Sequence, residues 1–329
     1  MKRVLPALTL VLLMATTLFA QLEMPLRPVA TYSIVARDSV TGQLGVAVQS
    51  NWFSVGSIVS WAEPGVGAVA TQSFIDPSYG PLGLALMRAG KSADAALSAL
   101  LKADENQAVR QVAFVDANGN VSKHTGSNCI DYAGSVSGPG FSCQANMMEK
   151  NTVPVAMANA YIEATGDLAS RLMAALEAAQ AEKGDIRGKQ SAAMLIVAGE
   201  TSGTPWNSRI VDLRVDDHKE PLKELKRLLH VNRVYTHANK GDELMTTNQV
   251  DAAMQEYTKA MELAPENIEM TFWPAVTLAS IGRIDEALPL FKKVFDRDLR
   301  WAELVRRLPK VGLLPKDDAL LEKILSVAK

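Results

Sequence analysis

A short loop that carries an acid and a base between two glycines is the most distinctive candidate for chemistry. Asp185 and Arg187 lie between Gly184 and Gly188, just before an apolar run at residues 192–198 that is typical of a buried strand. Such a loop can place the two side chains together, where a paired carboxylate stays ionised and can orient a polar group. The pattern predicts a functional pair, and a structural salt bridge in a tight loop is the alternative.

Two further groups of polar residues are predicted to bind substrate. His124 could serve as a general base, and Asn128 follows it in a turn. Adjacent residues on a strand point to opposite faces, so His124 is not expected to activate the neighbouring Thr125. Thr71 and Gln72 end a predicted strand, where hydroxyl and amide groups can donate hydrogen bonds to a substrate carbonyl. Turn capping is the alternative for this second group.

The first twenty residues have the features of an export signal. Lys2 and Arg3 precede an apolar run from Val4 to Ala20, which ends on the small residue that signal peptidase requires. We therefore expect a signal peptide at residues 1–20, a linker at 21–30 and a periplasmic or secreted protein without membrane association after cleavage. A retained membrane anchor is the alternative, since the run is close to the minimum length of a transmembrane helix.

Export also decides how the two cysteines are interpreted. Cys129 and Cys143 are the only cysteines, and two thiols in an oxidising compartment commonly pair. A disulfide between them is therefore predicted, with two buried free thiols as the alternative. We expect neither a metal ion nor a cofactor.

The elements that must position these residues change in kind along the chain. Of the 329 residues 48% are hydrophobic and 21% charged, which is enough for a buried core, and a net charge of -2 argues against binding nucleic acid. Strands and helices are mixed up to residue 218, so an α+β domain of two sheets covered by helices is expected over residues 31–218. The predicted strands include Thr31–Ala36, Leu44–Gln49, Gly56–Trp61 and Val66–Gln72.

After residue 218 the pattern becomes wholly helical and contains a repeat. The segment Asn248–Met254 corresponds to Gly282–Leu288, and Tyr257 corresponds to Phe291. The offset is 34 residues, which is the period of the tetratricopeptide repeat. An all-α tetratricopeptide-like domain is predicted over residues 219–329, with a groove for a protein partner. The pattern leaves a homo-oligomer open.

Five separate segments follow one another in an order that is typical of one protein family: Thr31–Asp38, Gly45–Ser50, Gly65–Gln72, Asp185–Ala192 and Val215–His218. Together they resemble an uncharacterised bacterial family that has an Ntn-hydrolase-like fold, in which the nucleophile is the N-terminal residue of the mature chain. The resemblance covers about residues 31–218 and implies a four-layer αββα sandwich, for which a helical extension is a common companion.

The resemblance also implies a nucleophile, because only Thr31 matches the required position. A cut between Ala30 and Thr31 would free an α-amine with a pKa of about 7.7–8.0, which could act as the base. Asp185 and Arg187 would position Thr31 or the substrate. The chain lacks the early lysine of proteasome-like members, since no lysine occurs between Thr31 and Lys91.

The resulting hypothesis is an exported amidohydrolase that acts on an amide bond of a small amide, a peptide or a cell-wall-like substrate. The alternative is a non-catalytic module on the same fold that binds a ligand or a protein.

Overall fold

The computed structural model describes residues 28–328, so the predicted signal peptide and most of the linker lie outside the described residues. The chain divides into two compact units, one ending at Lys226 and one beginning at Arg227. Helix Pro221–Thr246 contains this boundary. Between residues 28 and 328, no helix combines the length and the apolar character needed to cross a membrane.

The first unit contains ten strands among its described residues, and they form two antiparallel sheets. The six-stranded sheet has the order β10-β9-β2-β1-β8-β7, which puts β1 in the middle, and the four-stranded sheet has the order β3-β4-β5-β6. The strands are β1 (Thr31–Arg37), β2 (Leu44–Ser50), β3 (Ser60–Glu63), β4 (Gly67–Ser73), β5 (Arg110–Asp116), β6 (Val121–Thr125), β7 (Gly134–Gly138), β8 (Phe141–Asn146), β9 (Ser191–Val197) and β10 (Arg209–Val215).

Helices cover the outer faces of both sheets. Helices α2 and α3 pack on the four-stranded sheet, and α4 and α5 pack on the six-stranded sheet. The predicted α+β class and αββα sandwich are confirmed. The helices of this unit are α1 (Gly56–Val59), α2 (Tyr79–Arg88), α3 (Ala93–Ala103), α4 (Val153–Glu163) and α5 (Leu168–Ala181).

Polar caps fix the starts of two of these helices. Ser92 accepts a hydrogen bond from the amide of Ala95 at the start of α3, which is a common role of serine at this position. Asp167 does the same for the amide of Ser170 at the start of α5. Each cap satisfies an amide that has no partner within the helix.

The strand predicted at Gly56–Trp61 is wrong in its first half, where the structure has the short helix α1 before β3 begins. Gly56 lies so close to β9 that an added Cβ would come within 2.4 Å of the Ala193 Cβ. This close approach, and not a strand pairing, is the reason for a glycine here.

The inter-sheet space is apolar over most of its depth and polar at one end. The apolar part contains alternate residues of the central strands, such as Val35, Val46, Ala70 and Val115. At the end of the sandwich where β1 begins, the buried residues that face inward are instead hydroxyl and amide side chains: Thr31, Ser33, Gln72, Gln111, Gln144 and Asn146.

The second unit is wholly helical. The repeat positions form its core, because Ala253, Tyr257, Ala287 and Phe291 are all buried. Gly241 is part of this packing, since a Cβ added there would come within 2.4 Å of the Tyr257 ring. After α6 (Pro221–Thr246), the helices are α7 (Val250–Leu263), α8 (Glu269–Ser280), α9 (Ile284–Phe295), α10 (Arg300–Val305) and α11 (Asp318–Leu325).

Candidate functional site

Thr31 begins the central strand β1 and is completely buried. It is paired with Ser50 on β2 and with Asn146 on β8. Its Oγ1 donates a hydrogen bond to the carbonyl oxygen of Val29 at 2.8 Å and lies 3.4 Å from the Ser50 Oγ. The hydroxyl is therefore held beside the peptide bond that joins Ala30 to Thr31.

The carbonyl oxygen of Ala30 accepts two hydrogen bonds from side chains. The Ser50 hydroxyl is one donor. Nη2 of Arg187 is the other, at 3.3 Å. A hydroxyl and a guanidinium that converge on one carbonyl oxygen can stabilise negative charge on it, which is the arrangement of an oxyanion hole.

Asp185 holds this guanidinium in place, as the spacing of the loop predicts. Its carboxylate is fully buried and accepts hydrogen bonds from Arg187 Nη2 at 2.9 Å and Nε at 3.2 Å. The backbone amides of Arg187 and Asn51 donate two more, at 2.9 and 3.0 Å. With four donors and one fixed partner, the carboxylate orients Arg187 toward Ala30.

Amide side chains fill the space beneath Thr31. Gln72 Nε2 donates to the Thr31 carbonyl oxygen at 3.2 Å and to Gln111 Oε1 at 2.7 Å. Asn146 Nδ2 donates to the same Gln111 oxygen at 3.0 Å. Asn146 Oδ1 is buried and has no hydrogen-bond partner within the described part of the chain. An unpartnered buried oxygen costs free energy, so Asn146 Oδ1 is a polar atom that the hydrogen bonds described at this end leave unsatisfied.

Two of the five non-glycine residues with a positive φ between residues 28 and 328 lie at the same end. Ser73, the last residue of β4, has a φ of 70°, and Met147, directly after β8, has a φ of 57°. Ser73 pairs with Val29, and Met147 follows the Asn146 that pairs with Thr31. Non-glycine residues in this region cost about 1–3 kcal/mol each and cluster at functional sites.

Tyr32 lies on the other face of β1. Its hydroxyl donates toward the Gln49 side chain and lies 3.1 Å from Gln180 Oε1. Burial and the nearby charge of Asp185 raise the pKa of Tyr32 well above its ordinary value. Tyr32 therefore stays neutral and serves as a donor in the layer between β1 and α5.

The two members of the Thr71–Gln72 pair face opposite ways. Gln72 belongs to the site, as described, whereas Thr71 Oγ1 donates to the Asp76 carbonyl oxygen at 3.1 Å on the side of the helices. This division follows from the alternation of side chains along β4. Thr71 thus has the capping contact that the sequence left open.

His124 and Asn128 have no contact with Thr31. His124 is paired with Val112, which packs against α2 and α3, so its ring lies on the helix side of the sheet. Its Nε2 lies 2.8 Å from the Gln107 carbonyl oxygen. The side chain of Asn128 is exposed in the following loop. Thr125, next to His124, points inward instead and accepts a hydrogen bond from Gln111 Nε2 at 3.0 Å.

The predicted disulfide is absent, because Cys129 and Cys143 are both free and buried. Cys129 Sγ lies 3.4 Å from the Arg110 carbonyl oxygen, at the end of the four-stranded sheet. Cys143 lies on β8 between Ile34 and Val136, in the six-stranded sheet. It alternates with the inward-facing Gln144 and therefore lies on the helix side of that sheet. The two thiols are on different layers of the sandwich, and burial raises the pKa of each.

Three residues of the site carry no prediction from the sequence: Ser50, Gln111 and Asn146. The signal available for them was a polar residue at an inward-facing position of a strand whose neighbours are apolar. Among residues 28–328, no cluster of three or more His, Cys, Asp or Glu side chains could hold a metal ion.

Comparison with known proteins gives a fold and a family but no activity. The chain is similar to the crystal structure of protein SPO2555 from Silicibacter pomeroyi, described as a DUF1028 protein, with 31% sequence identity and a TM-score of 0.54. The match covers 61% of this chain and 88% of that one. No curated protein matches.

Two family models match separate parts of the chain. Residues 234–267 match a tetratricopeptide repeat, which confirms the repeat predicted in the helical region. Residues 31–225 match the model of a family of unknown function, and this match begins at Thr31 and spans more than half of the 329 residues. The chain therefore belongs to the family of unknown function DUF1028 and carries a tetratricopeptide repeat after the family domain.

Proposed function

We propose that the protein is an amidohydrolase whose nucleophile is Thr31, freed by cleavage of the Ala30–Thr31 peptide bond. The observation that carries the proposal is the Ala30 carbonyl oxygen, which is held by the Ser50 hydroxyl and the Arg187 guanidinium next to the Thr31 hydroxyl. The proposal includes removal of residues 1–20 on export to the periplasm or the medium.

The first step is cleavage of the chain itself. The Thr31 Oγ attacks the Ala30 carbonyl carbon, and Ser50 and Arg187 stabilise the charge that develops on the oxygen. The C–N bond breaks, the acyl group moves to Oγ and the proton of the hydroxyl passes to the leaving nitrogen, so that the α-amine of Thr31 is free. Water then hydrolyses the ester and releases the segment that ends at Ala30.

Burial favours cleavage within the chain over cleavage by another protease. Ala30 and Thr31 are both 0% exposed, and Val29 is 1% exposed. A protease needs its target bond in an exposed and extended segment, so it would require local unfolding of this end of β1.

The second step is hydrolysis of an external amide. The free amine of Thr31 accepts the proton of Oγ, because a pKa of about 7.7–8.0 leaves part of it neutral near pH 7. The oxygen attacks the substrate carbonyl, and the same Ser50 and Arg187 donors face the new oxyanion. The leaving amine takes the proton from the Thr31 amine, and water hydrolyses the resulting ester.

Intact-mass measurement tests the first step. The wild-type chain should lose all residues before Thr31 with time, and Thr31→Ser, which keeps a hydroxyl, should do the same. Thr31→Ala should keep Ala30 and Val29 while its circular dichroism spectrum stays that of the wild type. A wild-type chain that still carries Ala30 after full maturation, and is active on an amide, would exclude Thr31 as the nucleophile.

The helical unit supports a second function, the binding of a protein partner. Two adjacent cavities of about 150 and 370 Å³ share Asp242 and Trp273. Glu269 lies beside them and accepts hydrogen bonds from Trp273 Nε1 at 3.2 Å and from the Tyr235 hydroxyl at 3.1 Å. Carboxylates next to aromatic rings favour a cationic group, which the rings also attract. We infer a partner that inserts a lysine or arginine side chain.

Peptide titration tests this second function. Arginine- and lysine-containing peptides should quench tryptophan fluorescence in the wild type and bind about tenfold more weakly to Asp242→Asn or Glu269→Gln, as expected for loss of one charge-assisted contact. Equal affinity for basic and acidic peptides would contradict it.

A further inference from the structure

The segment directly before Thr31 is bound as a peptide ligand would be. Val29 pairs with Ser73 as a single antiparallel bridge, with hydrogen bonds of 2.7 Å from the Val29 amide and 3.2 Å to its carbonyl oxygen. Before it enters the six-stranded sheet at Thr31, the chain thus pairs alongside the last residue of β4 in the four-stranded sheet. Pairing of an extended peptide along the edge of a strand is a common mode of peptide recognition.

All three carbonyl groups of Pro28, Val29 and Ala30 are held by groups outside the segment. Arg187 Nη1 lies 3.5 Å from the Pro28 oxygen, and Nη2 lies 3.3 Å from the Ala30 oxygen. The Val29 oxygen accepts from the Thr31 hydroxyl as well as from the Ser73 amide. A single guanidinium that donates hydrogen bonds to two carbonyl oxygens of an extended chain fixes the direction and the register of that chain.

The side chains of the segment lie in enclosed space. Val29 is part of the apolar cluster between the sheets, against which Trp52 and Ile75 also pack. Ala30 is completely buried. Protein interiors are close-packed, so a larger side chain at the position of Ala30 would displace its neighbours.

We propose that Pro28–Ala30 occupies the subsites that bind the acyl part of the substrate. The residues of this segment then indicate which class of substrate the enzyme takes. This inference rests on the proposed function, in which cleavage removes the segment and so frees the contacts that the Ser73 backbone, Ser50 and Arg187 make to it. The substrate is a peptide-like amide that enters extended, with a small residue such as alanine at the scissile carbonyl and an apolar β-branched residue before it. Its scissile C–N bond is broken, its acyl group is transferred to the Thr31 Oγ and then to water, and its amine leaves with one proton.

Binding of acetyl-Pro-Val-Ala amide tests this inference independently of the proposed function, because it is measured without hydrolysis. The receptor is the chain that begins at residue 31 and carries Thr31→Ala, released from a fusion protein without extra residues, since the family match begins at that residue. The substitution removes the nucleophile, so the peptide amide is bound without being hydrolysed. The companion receptor is the full chain carrying Thr31→Ala, in which the segment stays in place. Calorimetry should show binding to the first receptor and at least about tenfold weaker binding to the second.

Two altered ligands test the individual subsites. Acetyl-Pro-Val-Phe amide should bind at least about tenfold more weakly, because pocket discrimination between small and large groups has this size. An N-methyl group on the valine removes the donor to Ser73 and should weaken binding to a similar degree. Equal affinity for the alanine, phenylalanine and N-methyl ligands, or equal binding to both receptors, overturns the inference.

Turnover is measured apart from binding, with the p-nitroanilides of the same peptides. Hydrolysis by the chain that begins at Thr31, but not by the same chain with Thr31→Ala, supports the proposed function whichever residue is preferred. A kcat/KM at least about tenfold higher for alanine than for phenylalanine is expected. Hydrolysis with the reverse preference refutes the substrate class alone, whereas lack of hydrolysis of every amide, with binding intact, refutes the proposed function alone.

Discussion

At the residue scale, the proposed chemistry depends on the carbonyl oxygen of Ala30 and on the two side chains that donate hydrogen bonds to it. Hydrogen bonds to an uncharged carbonyl are modest, but they strengthen when the oxygen becomes an oxyanion in a site from which water is excluded. Ser50 and Arg187 are fixed before any charge develops, Ser50 within the sheet and Arg187 by Asp185. In the proposed cleavage, both donors are therefore in place before attack at this carbonyl.

Ser50→Ala tests this organisation directly. Loss of one oxyanion donor should slow cleavage of the Ala30–Thr31 bond by about 100- to 1000-fold. Time-resolved intact-mass measurement gives the rate. Ser137→Ala is a matched control, because Ser137 is an exposed serine on the edge strand β7. Cleavage by Ser50→Ala at the wild-type rate would remove Ser50 from the mechanism.

Asp185→Asn should affect both function and stability. The carboxylate is fully buried while the Arg187 side chain is 30% exposed, so the cost should lie between those of buried and exposed pairs, at about 2–3 kcal/mol. Chemical denaturation measures this cost. Asp212→Asn, which disrupts the more exposed pair with Arg209 on β10, should cost about 0–1 kcal/mol.

The rate of cleavage of the Ala30–Thr31 bond distinguishes a positioning role of Asp185 from a structural role. Under conditions where Asp185→Asn is fully folded, it should still cleave at least about tenfold more slowly than the wild type, because Arg187 is no longer oriented. A folded variant that cleaves normally would leave only the structural role that the sequence also allowed.

Single residues also show what the sequence could predict at this site. Asp185 and Arg187 are two positions apart, so their contact is local and follows from the loop. Ser50, Asn146 and Gln111 come to Thr31 only because β1 lies between β2 and β8 and beneath β5. Such contacts depend on the order of strands in the sheets, and this order cannot be inferred from the residue pattern of a single sequence.

At the scale of elements, β8 has the alternation of apolar and polar residues that is typical of a half-exposed strand, although the whole strand is buried. Phe141, Cys143 and Ala145 alternate with Ser142, Gln144 and Asn146, which is a strand pattern, yet all six residues are buried. The polar face is turned toward the other sheet, where amides bind one another, and not toward solvent. Alternation predicts a half-exposed strand only when the polar face is hydrated.

A second element-scale feature is the ion pair that joins the end of α3 to β5. Asp104 accepts a hydrogen bond from Arg110 Nε at 2.8 Å, and both side chains are largely buried. Burial alone would raise the pKa of Asp104, but hydrogen bonds from Arg110, the Asn106 amide and Tyr79 outweigh it and lower the pKa below the ordinary value. The folded state therefore favours the ionised carboxylate.

Asp104→Ala should destabilise the first unit by about 3–5 kcal/mol at neutral pH, because the Arg110 charge would remain buried without its partner. The stabilisation is present above the ordinary carboxyl pKa of about 3.9 and is lost as pH falls through the lower pKa of the folded state. The difference in free energy of unfolding between wild type and variant should thus shrink below about pH 4. Urea denaturation at pH 7 and pH 3 measures it, and a constant difference would contradict the pKa direction.

At the scale of the whole molecule, the two cysteines show that separation in sequence says little about separation in a layered fold. A disulfide needs Cα atoms within about 7 Å and side chains that point toward each other. Cys129 lies at the end of the four-stranded sheet, whereas Cys143 lies on the helix side of the six-stranded sheet. Both thiols are free and buried, each among its own neighbours, so oxidation to a disulfide would require these surroundings to rearrange.

We therefore expect two free thiols in the protein even after it is produced in an oxidising compartment. In the folded state both should react slowly with a thiol reagent, because they are buried and burial raises the pKa of each. After denaturation without reductant, two equivalents of reagent should react, and reduction should add none. Cys129→Ala should lower the count to one and leave Cys143 titratable. A count of zero before reduction and two after it would show that the disulfide forms, and that the layers around β8 differ from those described here.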